Sequence, residues 1–368
     1  MYNNDDYDYP RFPHGLVRQQ MAACFAAWGM KPEHVETSAG LLLEADLRGV
    51  DTHGIAMLVS YDERRRKNLI TINTDVTVVH ETPTTAVVDG GGGLGFVPGA
   101  TAMGLAIKKA KAMGVACATV RNSNHFGAAG VYALMAARQG LLGFATTNGA
   151  RPTVVPTFSA ETMLNTNPFC FAAPTKRNGQ FCLDFATSTS AAGKIRNAAI
   201  EKRPVPEGWI TDDQGRATTD SSWYFKGAML TPLGGTRELG SHKGYGLATM
   251  VEILSTALSG ATLVTAKDRP TSGSANLGHW FMVINPTALM PEGEFERITD
   301  ELIDSLHAAK PVDPAQPVLV PGDPEQATVK LRLEKGIPIP PGLRGKLQEI
   351  AKGCNAPFLL GDEAISKA

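Results

Sequence analysis

Two of the eight histidines stand where proton chemistry is easily placed. His53 lies in Asp51-Thr52-His53-Gly54, directly after a helical segment, and His125 lies in Asn122-Ser123-Asn124-His125-Phe126-Gly127, directly after an apolar run. Imidazole titrates near neutral pH and both gives and takes protons there. That suits the interconversion of a carbonyl and an alcohol, where reduction needs a proton for the growing alkoxide and oxidation needs a base. Asn124 and Ser123 beside His125 can orient the ring or hold a substrate oxygen. For each histidine the other reading, a hydrogen-bonded turn residue, stays open on local residues alone. Neither an HExxH zinc motif nor the G-x-S-x-G elbow of a serine hydrolase is present. The five cysteines (Cys24, Cys117, Cys170, Cys182, Cys354) are widely spaced without a CxxC pair. They read as reduced thiols of a cytoplasmic protein, and no metal site is expected.

Other polar clusters carry weaker signals. Leu183-Asp184-Phe185-Ala186-Thr187-Ser188 puts an acid and two hydroxyls where a strand runs into a loop. Ser241-His242-Lys243-Gly244 opens a helix with a lysine, a setting suited to a phosphate. Gly90, Gly92 and Gly95 satisfy G-x-G-x-x-G between a strand and a helix. Such a run either cradles a dinucleotide's pyrophosphate or simply turns the chain, and Arg121 stands where a ribose-binding acid would be expected. The Arg64-Arg65-Arg66-Lys67 run reads as a solvated helix face.

The elements that must position these residues follow from periodicity. Apolar spacing predicts helices over 32–48 and 58–67, β-strands over 74–80 and 84–89, and a helix carrying Met103, Ala106, Ile107, Ala110 and Met113 that ends at Gly114. A buried strand over 115–120 delivers His125. A helix over 131–139, strands over 142–147, 169–173 and 181–185, a long apolar helix over 244–258 and a strand over 279–284 come next. Ile298, Leu302, Ile303 and Leu306 mark an amphipathic helix, and Pro338–Pro341 introduces a last short one. With 368 residues, 43% hydrophobic and 19% charged, the chain can bury a large core over more than one domain. A net charge of −1 argues against a nucleic-acid partner. No apolar run reaches the ~18 residues of a membrane span. The acidic amino terminus lacks a signal peptide's features and reads as a loose arm.

Taken together, ADLRGVDTHG (45–54), SNHFGAAG (123–130), NTNPFCFAAP (165–174), LDFATSTSAAGK (183–194), HKGYGLATMVEILS (242–255), NLGHWFMVINP (276–286) and VPGDPE (320–325) resemble the type 2 malate/L-lactate dehydrogenase family, from about residue 14 to about 345. The resemblance implies a mixed α/β (α+β) fold of the L-sulfolactate dehydrogenase kind, with a nicotinamide-binding domain that is not a Rossmann fold. It implies an N-terminal, substrate-side region over 1–125, a cofactor domain over 126–240 and a C-terminal region over 241–368 that packs back on the first. It also implies NAD or NADP as cofactor, a small carboxylate substrate and a homodimer or larger assembly.

Carried over by position, His125 is the proton acceptor and donor, with His53 the alternative, and Asp184 is a further catalytic residue. Arg48, Thr52 and Asn124 fall at the substrate. Leu183, Asp184, Phe185, Ala186, Thr187, Ser188, His242, Lys243, Pro321, Gly322 and Asp323 fall at the cofactor. Thr52 replaces the family's usual serine and keeps its hydroxyl. Met57 stands where relatives carry a carboxylate-binding arginine, so another cation, such as Arg48 or Arg151, is needed or the substrate differs. The expected reaction is 2-oxo acid to 2-hydroxy acid. Reduction of a cyclic imine 2-carboxylate is the alternative, and a non-catalytic cofactor sensor is a third reading.

Overall fold

The computed structural model describes residues 4–267 and 273–362. The chain begins with β1 (Arg11–Phe12), α1 (His14–Ala27) and α2 (Pro32–Leu47), then passes a tight turn at Asp51–His53 into α3 (Met57–Arg66). It continues through β2 (Thr77–Glu81), β3 (Thr85–Asp89), α4 (Phe96–Met113), β4 (Val115–Ser123), α5 (Gly130–Ala137), β5 (Leu142–Thr147), β6 (Phe169–Ala173) and β7 (Phe181–Phe185). After α6 (Ala192–Ile200) come the short strands β8 (Ile210–Thr211), β9 (Ala217–Thr218) and β10 (Met229–Leu230), then α7 (Ser241–Glu252) and β11 (Leu277–Ile284). The end of the chain holds α8 (Glu294–His307), α9 (Asp323–Lys335), β12 (Ile337–Pro338) and α10 (Pro341–Gly353).

Seven strands form one sheet in the order β2-β3-β4-β11-β5-β6-β7. Only β3 and β4, linked through α4, are parallel; every other pair in this sheet is antiparallel. A Rossmann sheet is parallel throughout, so the expected departure from that fold is what the structure shows. α4 and α5 cover one face with small residues that let backbones approach. A Cβ added at Gly143 of β5 would lie 2.5 Å from the Ala133 carbonyl of α5. This layer buries Val88, Val120, Met103, Tyr132 and Phe281, at roughly 1.5–3 kcal/mol for each large side chain removed from water. α1, α2, α3 and α10 gather around a second core of Phe25, Leu42, Tyr61 and Leu347. A third, smaller core (Val154, Leu164, Ile195, Val205, Ile210) lies among α6, α7 and the short strands.

Several expectations need correction. The amino-terminal arm is docked from residue 4: β1 pairs with β12, Phe12 is fully buried, and Arg11 meets Asp5 at 2.8 Å. The 244–258 helix starts three residues early and passes into a π-helical turn over Ile253–Ala257. On α8, Ile303 is buried, whereas Ile298, Leu302 and Leu306 remain exposed. No helix among the described residues is long and apolar enough to cross a membrane.

Candidate active site

The turn that presents His53 is fixed from three sides. α2 ends in a Schellman motif, with Gly49 in the left-handed region (φ 76°), its N–H on Asp46 O and the Val50 N–H on Ala45 O. Asp46 then accepts the Ile55 N–H at 2.8 Å, and any Cβ at Gly54 would fall 1.7 Å from the Asp46 carboxylate. From α9 the fully buried Arg332 donates to Asp51 Oδ1 (2.5 Å), to the Asp46 carbonyl (2.5 Å) and to Asp5 Oδ2 (2.8 Å). Thr52 Oγ1 lies 2.8 Å from His53 Nδ1.

His125 leaves the end of β4 and is held by the glycine run. The Gly90 N–H donates to Arg121 O, Gly91 to Asp89 Oδ1, Gly92 to Asn122 O, Gly93 to Gly90 O and Gly95 to His125 O. Amides that bond inward offer nothing to a pyrophosphate, which settles the ambiguity of the fingerprint. The glycines instead permit contact: a Cβ at Gly95 would meet Asn124 O and Phe126 Cβ at 2.6 Å. Behind this segment the fully buried His279 of β11 lies 2.8 Å from Ser123 Oγ and 2.7 Å from Thr147 Oγ1, with Phe126 stacked on its ring.

The two sequence-flagged histidines meet. Their rings stack with centroids 5.4 Å apart. Tyr61 Oη of α3 lies 2.6 Å from His125 Nδ1, and the Gly127 N–H donates to the same nitrogen at 3.3 Å. Burial, then the nearness of His53, His279 and Arg64, pushes the His125 pKa down to about 3. Burial likewise lowers His53 and raises Tyr61 well above the ordinary phenol value. The resting site therefore holds two neutral imidazoles and a protonated phenol.

Arg64 donates to Asn124 Oδ1 at 2.9 Å and lines a cleft of about 580 Å³ together with Arg151 and Glu161. It is half-buried, so the solvated-face reading of 64–67 fails at its first residue. Arg65 and Arg66 clasp the buried Asp62, and only Lys67 pairs at the surface, with Glu63. Asn124 is fully buried; its amide donates to Gly92 O and Gly93 O and its Oδ1 accepts from Arg64, so it stands behind Arg64. Met57 packs on the helical core. Arg48 is buried at the end of α2, beside Asp184.

Asp184, on β7, has much protein packed around it, yet its side chain keeps open surface. Burial pushes it up to about 6, opposed by the Gly130 N–H (2.6 Å to Oδ2) and by Arg48. Along the same strand Leu183, Phe185 and Ala186 are partly exposed. The hydroxyls of Thr187 and Ser188 are buried and bond to the Asn167 and Ser190 carbonyls. The other expected cofactor segments attach to β7. Pro321 O accepts the Cys182 N–H, and Gly322 (φ 109°) presses on Gln180 O. Asp323 starts α9 and bonds the Val320 N–H and His307. His242 and Lys243 are exposed in the first turn of α7, with Arg237 3.1 Å from His242 Nδ1. The loop before them bonds Leu233 N to Thr187 O.

Tyr61, Arg64, Arg332 and His279 went unflagged in the sequence. One signal was available: Met57, Tyr61 and Arg64 share a helix face at i, i+4 and i+7, aimed the same way as the turn carrying His53.

The profile of the malate/L-lactate dehydrogenase family matches residues 13–348. The chain is 38% identical to malate dehydrogenase of Pyrococcus horikoshii over 348 residues, 94% of this chain and 96% of that one. It is 38% identical to L-sulfolactate dehydrogenase of Methanocaldococcus jannaschii, covering 89% and 92%. The crystal structure of malate dehydrogenase from Entamoeba histolytica superposes with a TM-score of 0.90 at 32% identity, covering 95% and 99%. The chain belongs to the malate/L-lactate dehydrogenase family, and it is an oxidoreductase acting on CH–OH groups.

Proposed function

We propose that this protein interconverts a small 2-hydroxy acid and its 2-oxo acid, using NAD or NADP, with His125 as the group that moves the oxygen's proton. The observation that carries the reading is the arrangement around His125. A neutral imidazole stacks on a second histidine, and its Nδ1 is held by a tyrosine hydroxyl that both donates and accepts. During reduction the ring is protonated on both nitrogens, with Tyr61 accepting from Nδ1–H; it gives its Nε2 proton to the oxygen and is left as neutral imidazole. With Tyr61 accepting, Nε2 is bare and takes the hydroxyl proton during oxidation. His53 opposes a positive charge on this ring, whereas a bound carboxylate favours one, so substrate binding brings His125 toward its working range.

The open side of β7 offers groups suited to a nicotinamide dinucleotide. Asp184 offers an open acceptor oxygen, and the buried Arg48 has no carboxylate ion-pair partner among the described residues. Leu183, Asp184, Phe185 and Ala186 would hold the cofactor from the strand, with Pro321–Asp323 and His242–Lys243 flanking it. When bound, the nicotinamide accepts or supplies the hydride at the substrate's C2. His125→Ala is expected to lower turnover by about 10²–10⁴-fold, the usual range for a lost general acid or base. Cofactor affinity, followed by nicotinamide fluorescence, stays within about twofold, as expected for a group acting on the proton alone. Undiminished turnover on a panel of 2-oxo and 2-hydroxy acids would overturn the assignment.

A further inference from the structure

Glu252, the last residue of α7, is a buried carboxylate, and no cation pairs with it among the described residues. Its two oxygens accept from two different segments. Oε1 takes the Val264 N–H at 2.7 Å, and Oε2 takes the Asn167 side-chain amide at 3.0 Å. Val264 opens the 264–267 wall of the cleft that Arg64 lines from α3, one turn beyond Tyr61. Asn167 is fully buried between β5 and β6; its Nδ2 also donates to Ala248 O at 2.9 Å, and its carbonyl accepts the Thr187 hydroxyl at 3.0 Å. Thr187 lies two residues beyond the end of β7. A run of buried hydrogen bonds, Thr187 to Asn167 to Glu252 to Val264, thus joins the end of β7 to the cleft wall. Asn167 is turned toward Glu252 even though its own Oδ1 then lies buried without a partner.

The two donors dictate the residue between them. N–H groups arriving from separate segments need an acceptor oxygen each, and a carboxylate has two; a glutamine would turn its NH2 toward one of them. Holding either segment alone needs no charge, and a buried carboxylate without a cation is costly. We infer that Glu252 is a positioning residue that keeps the 264–267 cleft wall in register with the cofactor strand β7, so that a dinucleotide settling on β7 also orders that wall. This rests on the proposed placement of the dinucleotide along β7. Hydride transfer tolerates little displacement: a misplacement of about 1 Å from a change far from the chemistry costs about 10²-fold.

The test follows hydrogen exchange of the 261–267 segment by mass spectrometry in the wild type and Glu252→Gln, with and without saturating NADH or NADPH. Nicotinamide fluorescence gives the dinucleotide affinity, and turnover is recorded on a panel of 2-hydroxy and 2-oxo acids. In the wild type the dinucleotide should slow exchange of this segment by at least about fivefold, the lower end of ordinary coupling between sites. Glu252→Gln should lose that slowing and bind the dinucleotide within about threefold of the wild type. Well below its unfolding temperature it should also lose kcat by about 10- to 100-fold. Thr187→Val breaks the run at its other end with an apolar group of the same shape; it should lose the slowing too, and it carries the test should Glu252→Gln fail to fold. Dinucleotide bound without slowing in the wild type, or with the same slowing in the variants, overturns the inference. So does a variant of lower stability and unchanged kcat, which would make Glu252 a brace only. Slowing that depends on Glu252 without turnover of any acid leaves the inference standing and sinks the proposed reaction. Failure of both dinucleotides to bind sinks the placement on β7, and this inference with it.

Discussion

At the scale of single residues, the site depends on what holds one nitrogen of one ring. Tyr61 is fully buried with its hydroxyl 2.6 Å from His125 Nδ1, and no other side chain bonds that nitrogen in the described structure. Tyr61→Phe keeps the packing against Phe96 and removes only the oxygen. The ring then loses the partner that serves both tautomers. Turnover should fall by about 10- to 100-fold, the lower part of the range for acid–base assistance, while KM and cofactor binding change by less than about threefold. Steady-state rates in both directions measure this, and a variant with unchanged kcat would show that Tyr61 merely fills space. His125 stood out in the sequence as a histidine in a polar run at a strand's end, but it was the set of ordered family motifs, not that local signal, that favoured it over a plain turn residue. Tyr61 did not stand out, since its partner lies 64 residues away and nothing in a helical pattern announces a tertiary hydrogen bond.

At the scale of elements, the turn that carries His53 is braced from distant parts of the chain. Arg332 of α9 ties the His53 turn to the amino-terminal arm through Asp51 and Asp5, with no exposed surface of its own. Arg332→Met would remove the buried cation shared by Asp51, Asp5 and the Asp46 carbonyl, while Asp5 keeps Arg11 and Asp51 keeps the Asn4 N–H. Removing one member of a buried ionic cluster costs about 3–5 kcal/mol. Urea unfolding should show that loss, and turnover should drop even below the unfolding transition because His53 is no longer held. Full stability in the variant would mean that Arg332 is dispensable to the turn. Spacing made α2, α3, α4, α5, α7, α8, α10 and the strands of the seven-stranded sheet readable, while α1, α6 and α9 went unread, and Gly114 was correctly read as a helix end. The sequence did not show that β11, drawn from far along the chain, inserts between β4 and β5 at the sheet's centre. It also left the glycine run open, because a motif names the residues that permit close approach and not what approaches. Here the neighbour is the protein's own 122–127 segment.

At the scale of the whole molecule, the buried imidazoles couple stability to pH. His279 is fully buried at the centre of the sheet, with both ring nitrogens bonded to hydroxyls and Phe126 stacked on it at 4.5 Å. Burial pushes its pKa down from 6.5 to about 3, and His125 is depressed to about 3 as well. Unfolding returns each to its ordinary value, so between pH 6.5 and 3 the unfolded chain binds more protons than the folded one. The stability owed to neutral imidazole is thus complete above about pH 6.5 and falls as acid is added, by at most about 1.4 kcal/mol per pH unit for each group. Asp184 acts in the opposite sense. Its pKa is raised from 3.8 to about 6, so protonation favours the folded state across that window. Its open surface weakens that contribution; the buried Asp46, also raised by burial, opposes the histidines too, so the net decline is shallower than two imidazoles alone would give. Urea midpoints measured from pH 8 to pH 4.5 should be level down to about 6.5 and then decline. His279→Gln, which keeps a hydrogen-bonding side chain without a titrating ring, should flatten the decline by roughly the share of one group. If that variant folds poorly, the ring-proton resonances of the wild-type histidines give the same answer: the His279 signals should not shift between pH 8 and 5. A normal titration near pH 6.5 would show that the sheet's centre accepts the charge.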